Sequence, residues 1–133
     1  MYTSIVMDHF ANPRNVGTID APDGYAQVKS TVHEDVVEVF LRIREGAIID
    51  IKQRTFGCAA AIASSSFTTE LVRGKPLSYA EALTEEDVSQ ALKLPEAKVQ
   101  CSLLAVKAVH QAIERYLNQH PEPRAAEAGQ SLS

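Results

Sequence analysis

Val36-Val37-Glu38-Val39-Phe40-Leu41-Arg42-Ile43-Arg44-Glu45-Gly46-Ala47-Ile48-Ile49-Asp50-Ile51-Lys52-Gln53-Arg54-Thr55-Phe56-Gly57 is the stretch that decides the fold. Val37, Val39, Leu41 and Ile43 alternate with polar or charged neighbours, which predicts a strand with one apolar face. Glu45-Gly46 reads as a turn. Ile49, Ile51 and Gln53 then alternate with Asp50, Lys52 and Arg54, which predicts a second strand. A turn this short joins antiparallel neighbours. Upstream, the cluster Asp20-Ala21-Pro22-Asp23-Gly24 marks a turn, and Tyr25 to Val32 supplies a third strand.

Helical spacing lies on either side. Ile5, Val6 and Phe10 give a weak period that Asn12-Pro13-Arg14-Asn15 and Gly17 break. After Gly57, the residues Ala59, Ile62, Ala63, Phe67 and Leu71 follow helical spacing as far as Arg73, and Gly74 closes the segment. The small residues Ala59 to Ala61 and Ser64 to Ser66 let this helix pack closely against a neighbour. Ser78 caps a short helix in this reading, and Thr84-Glu85-Glu86-Asp87 has the form of a capping box with Asp in the usual Glu position. Pro95 suits the first turn of a last helix with the stripe Val99, Leu103, Val106, His110, Ile113 and Leu117. The order predicts an α+β domain over residues 1–119: a small three-stranded antiparallel sheet with helices packed on one face. Residues 120–133 read as a polar, flexible tail.

The 133 residues suit one domain, and 45% hydrophobic content is enough for a core. A net charge of -4 argues against sequence-independent nucleic-acid binding, which needs a basic face. No window approaches the ~18 apolar residues of a membrane span, so no membrane partner is expected. MYTSIVMDHF has no basic region leading a long apolar run and is not read as a secretory signal. Two cysteines are too few for a disulfide scaffold, so the expected compartment is a reducing cytoplasm.

Those cysteines are the first candidates for chemistry. Cys58 falls where a strand ends and a helix begins, after a glycine that permits a tight turn. A helix N-terminus favours the thiolate, the form that is both nucleophile and metal ligand. Local sequence leaves a packed thiol equally open. Cys101 lies between the stripe positions Val99 and Leu103, so it need not point into the core, and taken alone it reads better as a packed thiol. The two are 43 positions apart and form no local metal motif; only the fold can join them. His33 and Asp35 lie two apart before the strongest strand, so an extended chain aims both one way. Imidazole and carboxylate both bind zinc or iron, although a lone His-x-Asp is more often a polar loop. His9 reads as a surface or helix-end residue, His110 as a core-boundary residue and His120 as solvated. Ser64 to Ser66 lack a hydrolase context, and no phosphate-binding glycine loop is present.

Three segments in order carry a resemblance. Met7-Asp8-His9-Phe10-Ala11-Asn12-Pro13-Arg14-Asn15-Val16-Gly17, Thr55-Phe56-Gly57-Cys58-Ala59-Ala60-Ala61 with Glu70 and Gly74-Lys75, and Val99-Gln100-Cys101-Ser102-Leu103-Leu104-Ala105 resemble the motifs of the IscU/NifU-type iron–sulfur cluster assembly scaffolds. The resemblance runs from about Ile5 to Leu117. It implies a small α+β fold in which Cys58, Cys101 and the loop before the strand meet at one exposed end. The family's Cys-Gly-Asp reads His33-Glu34-Asp35 here, and its histidine before the last cysteine is Gln100. The chaperone-recognition segment, Leu-Pro-Pro-Val-Lys in such relatives, reads Leu94-Pro95-Glu96-Ala97-Lys98, which counts against docking to a specialised Hsp70-type chaperone. The insertion of the zinc-dependent sulfur-transfer branch finds no room between Leu83 and Pro95.

The resemblance implies a carrier, not a turnover enzyme, with His33, Asp35, Cys58 and Cys101 as metal ligands. Such a set could hold a transient 2Fe-2S cluster or, without a cluster, zinc. Sulfur would arrive as persulfide from a cysteine desulfurase onto Cys58 or Cys101, and the cluster would pass to recipient apoproteins. The competing readings are a zinc-binding sulfur acceptor, and a divergent paralogue that keeps the fold as a binding module.

Overall fold

The computed structural model describes residues 2–120. The elements are α1 (Ser4–Ala11), β1 (Gly24–Lys29), β2 (Val36–Arg44), β3 (Ala47–Phe56), α2 (Ala59–Val72), α3 (Leu77–Ala82), α4 (Glu85–Leu92), a 3₁₀ turn (Glu96–Lys98) and α5 (Val99–Gln119). The three strands form one antiparallel sheet in the order β1-β2-β3. Helix α5 lies across β1 and β2, and α2 lies against β3, α1 and α5. This is the α+β architecture that the strand and helix periods predict. The expected tail lies, from residue 121 onward, outside the described residues.

Alternation in β2 sends Val37, Val39, Leu41 and Ile43 into the core. On the other face, Glu38 accepts hydrogen bonds from the Tyr25 hydroxyl at 2.5 Å and from Arg54 Nε at 2.8 Å, with Arg54 Nη2 2.7 Å away. Strand β3 corrects the sequence reading. Arg42 pairs with Asp50 but Ile43 pairs with Ile48, which leaves Ile49 as an extra residue. One inserted residue reverses the side-chain parity of everything before it. Ile48, Ile51 and Gln53 are therefore the buried set, and Ile49 is 46% exposed.

The helices obey their local signals with two shifts. Thr84 and Asp87 make the reciprocal capping box that opens α4, whereas α3 is capped by Pro76 rather than Ser78. In α2 the buried face is the small one: Ala60, Ala61, Ala63, Ser64, Ser65, Ser66, Thr68, Thr69 and Val72 are buried, while Ile62, Phe67 and Leu71 are half-buried. Short side chains let α1 and α5 approach this helix closely. A similar approach operates at Gly24, where an added Cβ would stand 2.5 Å from the Ala112 carbonyl oxygen on α5.

His9, expected at the surface, is buried against α2. The Ser66 hydroxyl lies 2.7 Å from His9 Nδ1 and also accepts the Arg14 backbone N–H at 2.8 Å. His9 Nε2 is 3.4 Å from Glu70. A neutral imidazole accepting the Ser66 proton and donating toward Glu70 satisfies all three contacts. Burial holds the His9 pKa below the usual value, with Arg14 acting in the same direction and Glu70 and Asp8 opposing it. The unfolded chain takes up this proton near pH ~6.5, before the native protein does. The stabilisation is therefore complete above that pH and is lost as pH falls through the lower native value. In urea denaturation from pH ~7 to ~5, His9→Gln is expected to flatten part of the parent's loss of stability; identical slopes would contradict this account.

Candidate metal centre

Three separate pieces of chain build the site. The loop after β1 is folded by Ser30, whose hydroxyl accepts the N–H groups of Val32 and His33 at 3.2 and 3.0 Å, and whose N–H donates to the Asp35 carbonyl at 2.9 Å. That closure delivers Asp35, only 8% exposed, to the head of β2. At the other edge, Phe56-Gly57 turns β3 into α2. Cys58 is the N-cap of α2, makes no side-chain capping bond, and is half-buried. The third piece is the first turn of α5, which presents Cys101, 3% exposed. Ala60 and Ala61 pack beneath Cys101, with Tyr2 and Leu94 against the same cluster.

The fold brings the two thiols together. Cys58 Sγ and Cys101 Sγ are 3.8 Å apart, and the Cys101 thiol points to Asp35 Oδ2 at 4.0 Å. One ligand atom each from Asp35, Cys58 and Cys101 lies within 4.8 Å of the others. Two sulfurs bound at ~2.3 Å to a tetrahedral ion stand roughly 3.8 Å apart, so this spacing fits a metal with little rearrangement. Burial raises the Cys101 pKa well above the usual thiol range. The neighbouring Cys58 and the Asp35 charge push the same way, and Lys98 opposes them. Cys101 is thus a neutral thiol without a metal, and metal binding there must release a proton.

His33 does not join this group. Its Nε2 lies 2.7 Å from Gln100 Nε2, which makes the imidazole nitrogen the acceptor of a carboxamide N–H. The lone pair a metal would use is engaged by Gln100. Two of the positions that depart from the family pattern, His33 and Gln100, therefore touch each other. Both line a cleft of about 130 Å³ together with Asp35, Cys101, Leu103 and Lys107. Of the remaining histidines, His110 lies 3.0 Å from the Ala80 carbonyl and His120 is exposed, both as the sequence suggests.

Two features escape the sequence reading. Leu103, expected on the buried stripe, is 45% exposed, while Cys101 is buried, as a packed thiol would be. The helix faces the core through Cys101, Ala105, Ala108, Ala112 and Tyr116 as well as through its larger apolar residues. That run of alanines at three- and four-residue spacing was the available signal. The other feature is Gly57. Its importance is not only the turn: a Cβ there would stand 2.5 Å from Asp35 Oδ1 and 3.1 Å from the Ala61 Cβ.

A half-buried and a buried thiol beside a carboxylate, at one end of a small α+β fold, give the donor set of a metal-binding protein. The NifU-like N terminal domain model matches residues 1–122, and the chain belongs to that family. It is 44% identical over 121 residues to "Iron-sulfur cluster assembly scaffold protein IscU 1" of Archaeoglobus fulgidus, an alignment covering 90% of this chain and 79% of that one. It is 42% identical over 119 residues to the Escherichia coli K12 protein "Iron-sulfur cluster assembly scaffold protein IscU", covering 86% and 93%. These relatives bear the names of scaffolds rather than enzymes. The fold is similar to the crystal structure of a nitrogen-fixing NifU-like protein (N-terminal) from Brucella abortus, with a TM-score of 0.69, 23% identity and coverage of 89% and 94%. Among the described residues no helix is long and apolar enough to cross a membrane.

Gly57→Ala is expected to displace Asp35 while leaving both cysteines in place. Cobalt titration should then show affinity reduced by roughly 10-fold or more with thiolate-to-cobalt absorption retained. Unchanged affinity would mean that Asp35 does not reach the metal.

Proposed function

We propose that this protein is an iron–sulfur cluster assembly scaffold, built as one unit over residues 1–119, that holds a labile 2Fe-2S cluster on Asp35, Cys58 and Cys101. The supporting observation is the 3.8 Å approach of the two thiols beside Asp35. His33 completes the set by turning from Gln100 to the cluster, as histidine replaces cysteine on one iron in Rieske centres. A carboxylate and an imidazole are weaker donors than two further thiolates, which suits a cluster that must leave. Sulfur arrives from a cysteine desulfurase onto Cys58 or Cys101, and the cluster departs to recipient apoproteins. Glu96 and Ala97 alter the recognition segment for an Hsp70-type chaperone, which counts against that partner. Free thiols fit a reducing cytoplasm.

The donor geometry also favours a second reading. Two thiolates and a carboxylate, with His33 turned in from Gln100, complete a tetrahedral zinc site, as in a zinc-binding sulfur acceptor or a non-assembling paralogue. Anaerobic reconstitution with iron and sulfide separates the two. The scaffold takes up iron with acid-labile sulfide and visible charge-transfer absorption; a protein that retains only zinc belongs to the second reading. Cys58→Ser or Cys101→Ser should lose most of the loading, and unchanged loading in the double variant would refute the ligand assignment.

His33 gives a sharper comparison. His33→Cys restores a thiolate and is expected to retain or strengthen cluster binding. His33→Ala leaves an open position and should weaken it roughly 10- to 100-fold. Equal loading of the parent and His33→Ala would remove His33 from the site.

A further inference from the structure

The chain has two cysteines in all, and the fold places them side by side but unequally exposed. Cys58 is half-buried at the α2 N-cap with its sulfur unused by the cap. Cys101 stands 3.8 Å behind it and is 3% exposed. An external reagent therefore meets Cys58 first, and the nearest partner for anything formed there is Cys101. A disulfide requires ~2.0 Å between sulfurs, so the pair must close by less than ~2 Å, and Gly57 beside Cys58 gives that corner freedom to move.

We propose that this pair has an activity of its own: it reduces sulfane sulfur to sulfide and ends as a Cys58–Cys101 disulfide. The proposal rests on the reading of the site as a sulfur acceptor and states how the accepted sulfur becomes usable. Cys58 Sγ bonds to the outer sulfur of a persulfide or polysulfide donor, the donor's own bond to that sulfur breaks, and the donor leaves as a thiol with that electron pair and the Cys58 proton, so that Cys58 becomes a persulfide. Cys101 Sγ then bonds to Cys58 Sγ, and the bond from Cys58 Sγ to the outer sulfur breaks. The outer sulfur leaves with that electron pair and with the Cys101 proton, as hydrogen sulfide. It has gained two electrons, and the two cysteine sulfurs have supplied them. An external dithiol reopens the disulfide in exchange for its own oxidation, restoring both metal-binding thiols.

Sulfane sulfur is the favoured substrate class because its transfer leaves a single added atom on Cys58. Cys101 attacks in line from behind, so the outer sulfur departs on the far side of Cys58, whose partial exposure gives it a way out. Sulfide is released where the cluster would be assembled. Metal and disulfide are mutually exclusive on this pair, so sulfide release and metal loading alternate.

The test uses the full chain, chelator-treated and reduced, exposed briefly to sodium tetrasulfide under anaerobic conditions and desalted. Sulfide release, free thiols and intact mass are then followed with no thiol reagent present. The parent is expected to lose both thiols to an internal disulfide and to release sulfide at least ~10-fold faster than either Cys58→Ser or Cys101→Ser. Folded Cys101→Ser, checked by circular dichroism, should keep a stable persulfide on Cys58. A parent that retains its persulfide as long as Cys101→Ser overturns the proposal, as does equally fast release by either single-cysteine variant. Cobalt titration of the reduced parent reports separately on the metal site. Loss of metal binding with sulfide release intact would overturn the scaffold reading and leave this activity standing.

Discussion

Everything at the functional end depends on the contact between the first turn of α5 and the N-terminus of α2, which holds two sulfur atoms 3.8 Å apart. Ala60 and Ala61 make that approach possible, because larger side chains would hold the helices apart. The sheet supplies the third donor. Strands β2 and β3 pair Val36 with Phe56, so the residues flanking those ends, Asp35 and Gly57, are neighbours across the sheet. The missing side chain of Gly57 is the space that the Asp35 carboxylate occupies. A helix contact, a strand register and a glycine thus fix one site from three distant parts of the chain.

The site is costly without a cation. Burial beside Cys58 and the Asp35 charge favours the uncharged form of the Cys101 thiol. A bound metal reverses that balance by supplying positive charge and releasing protons. Acid shifts the balance back, because protons and metal compete for the same sulfur. The surroundings are suited to exchange: Val32, Phe56 and Leu103 remain exposed on the loop, strand end and helix that frame the donors. Apolar side chains left in water around a reactive centre fit transient contact with other proteins.

Much of this was legible in the sequence where local rules act alone. The alternation of Val37, Val39, Leu41 and Ile43, the Glu45-Gly46 turn and the Thr84–Asp87 capping box each specify their element. The bulge that exposes Ile49 was not legible, because either Ile48 or Ile49 can take the inward position until the pairing with β2 is known. Leu103 was placed on the buried stripe of α5 although it is exposed, since a stripe counted from large apolar residues ignores buried alanines. The burial of His9 depends on Ser66, 57 positions away, and no local period encodes that distance. At the site, both cysteines and Asp35 were identifiable from their motifs, and the family resemblance implied their convergence, which no local spacing encodes. The contact of His33 with Gln100 likewise joins two substitutions that look independent in the sequence.

The central claim is that both thiols and Asp35 bind one metal centre, and X-ray absorption spectroscopy of the metal-loaded protein tests it most directly. With a single zinc or cobalt ion bound per chain, the account predicts two sulfur neighbours at ~2.3 Å, with the remaining positions filled by oxygen or nitrogen. Loss of one sulfur neighbour in each of Cys58→Ser and Cys101→Ser should follow. A first shell made only of oxygen and nitrogen, or one unchanged by either substitution, would contradict the account.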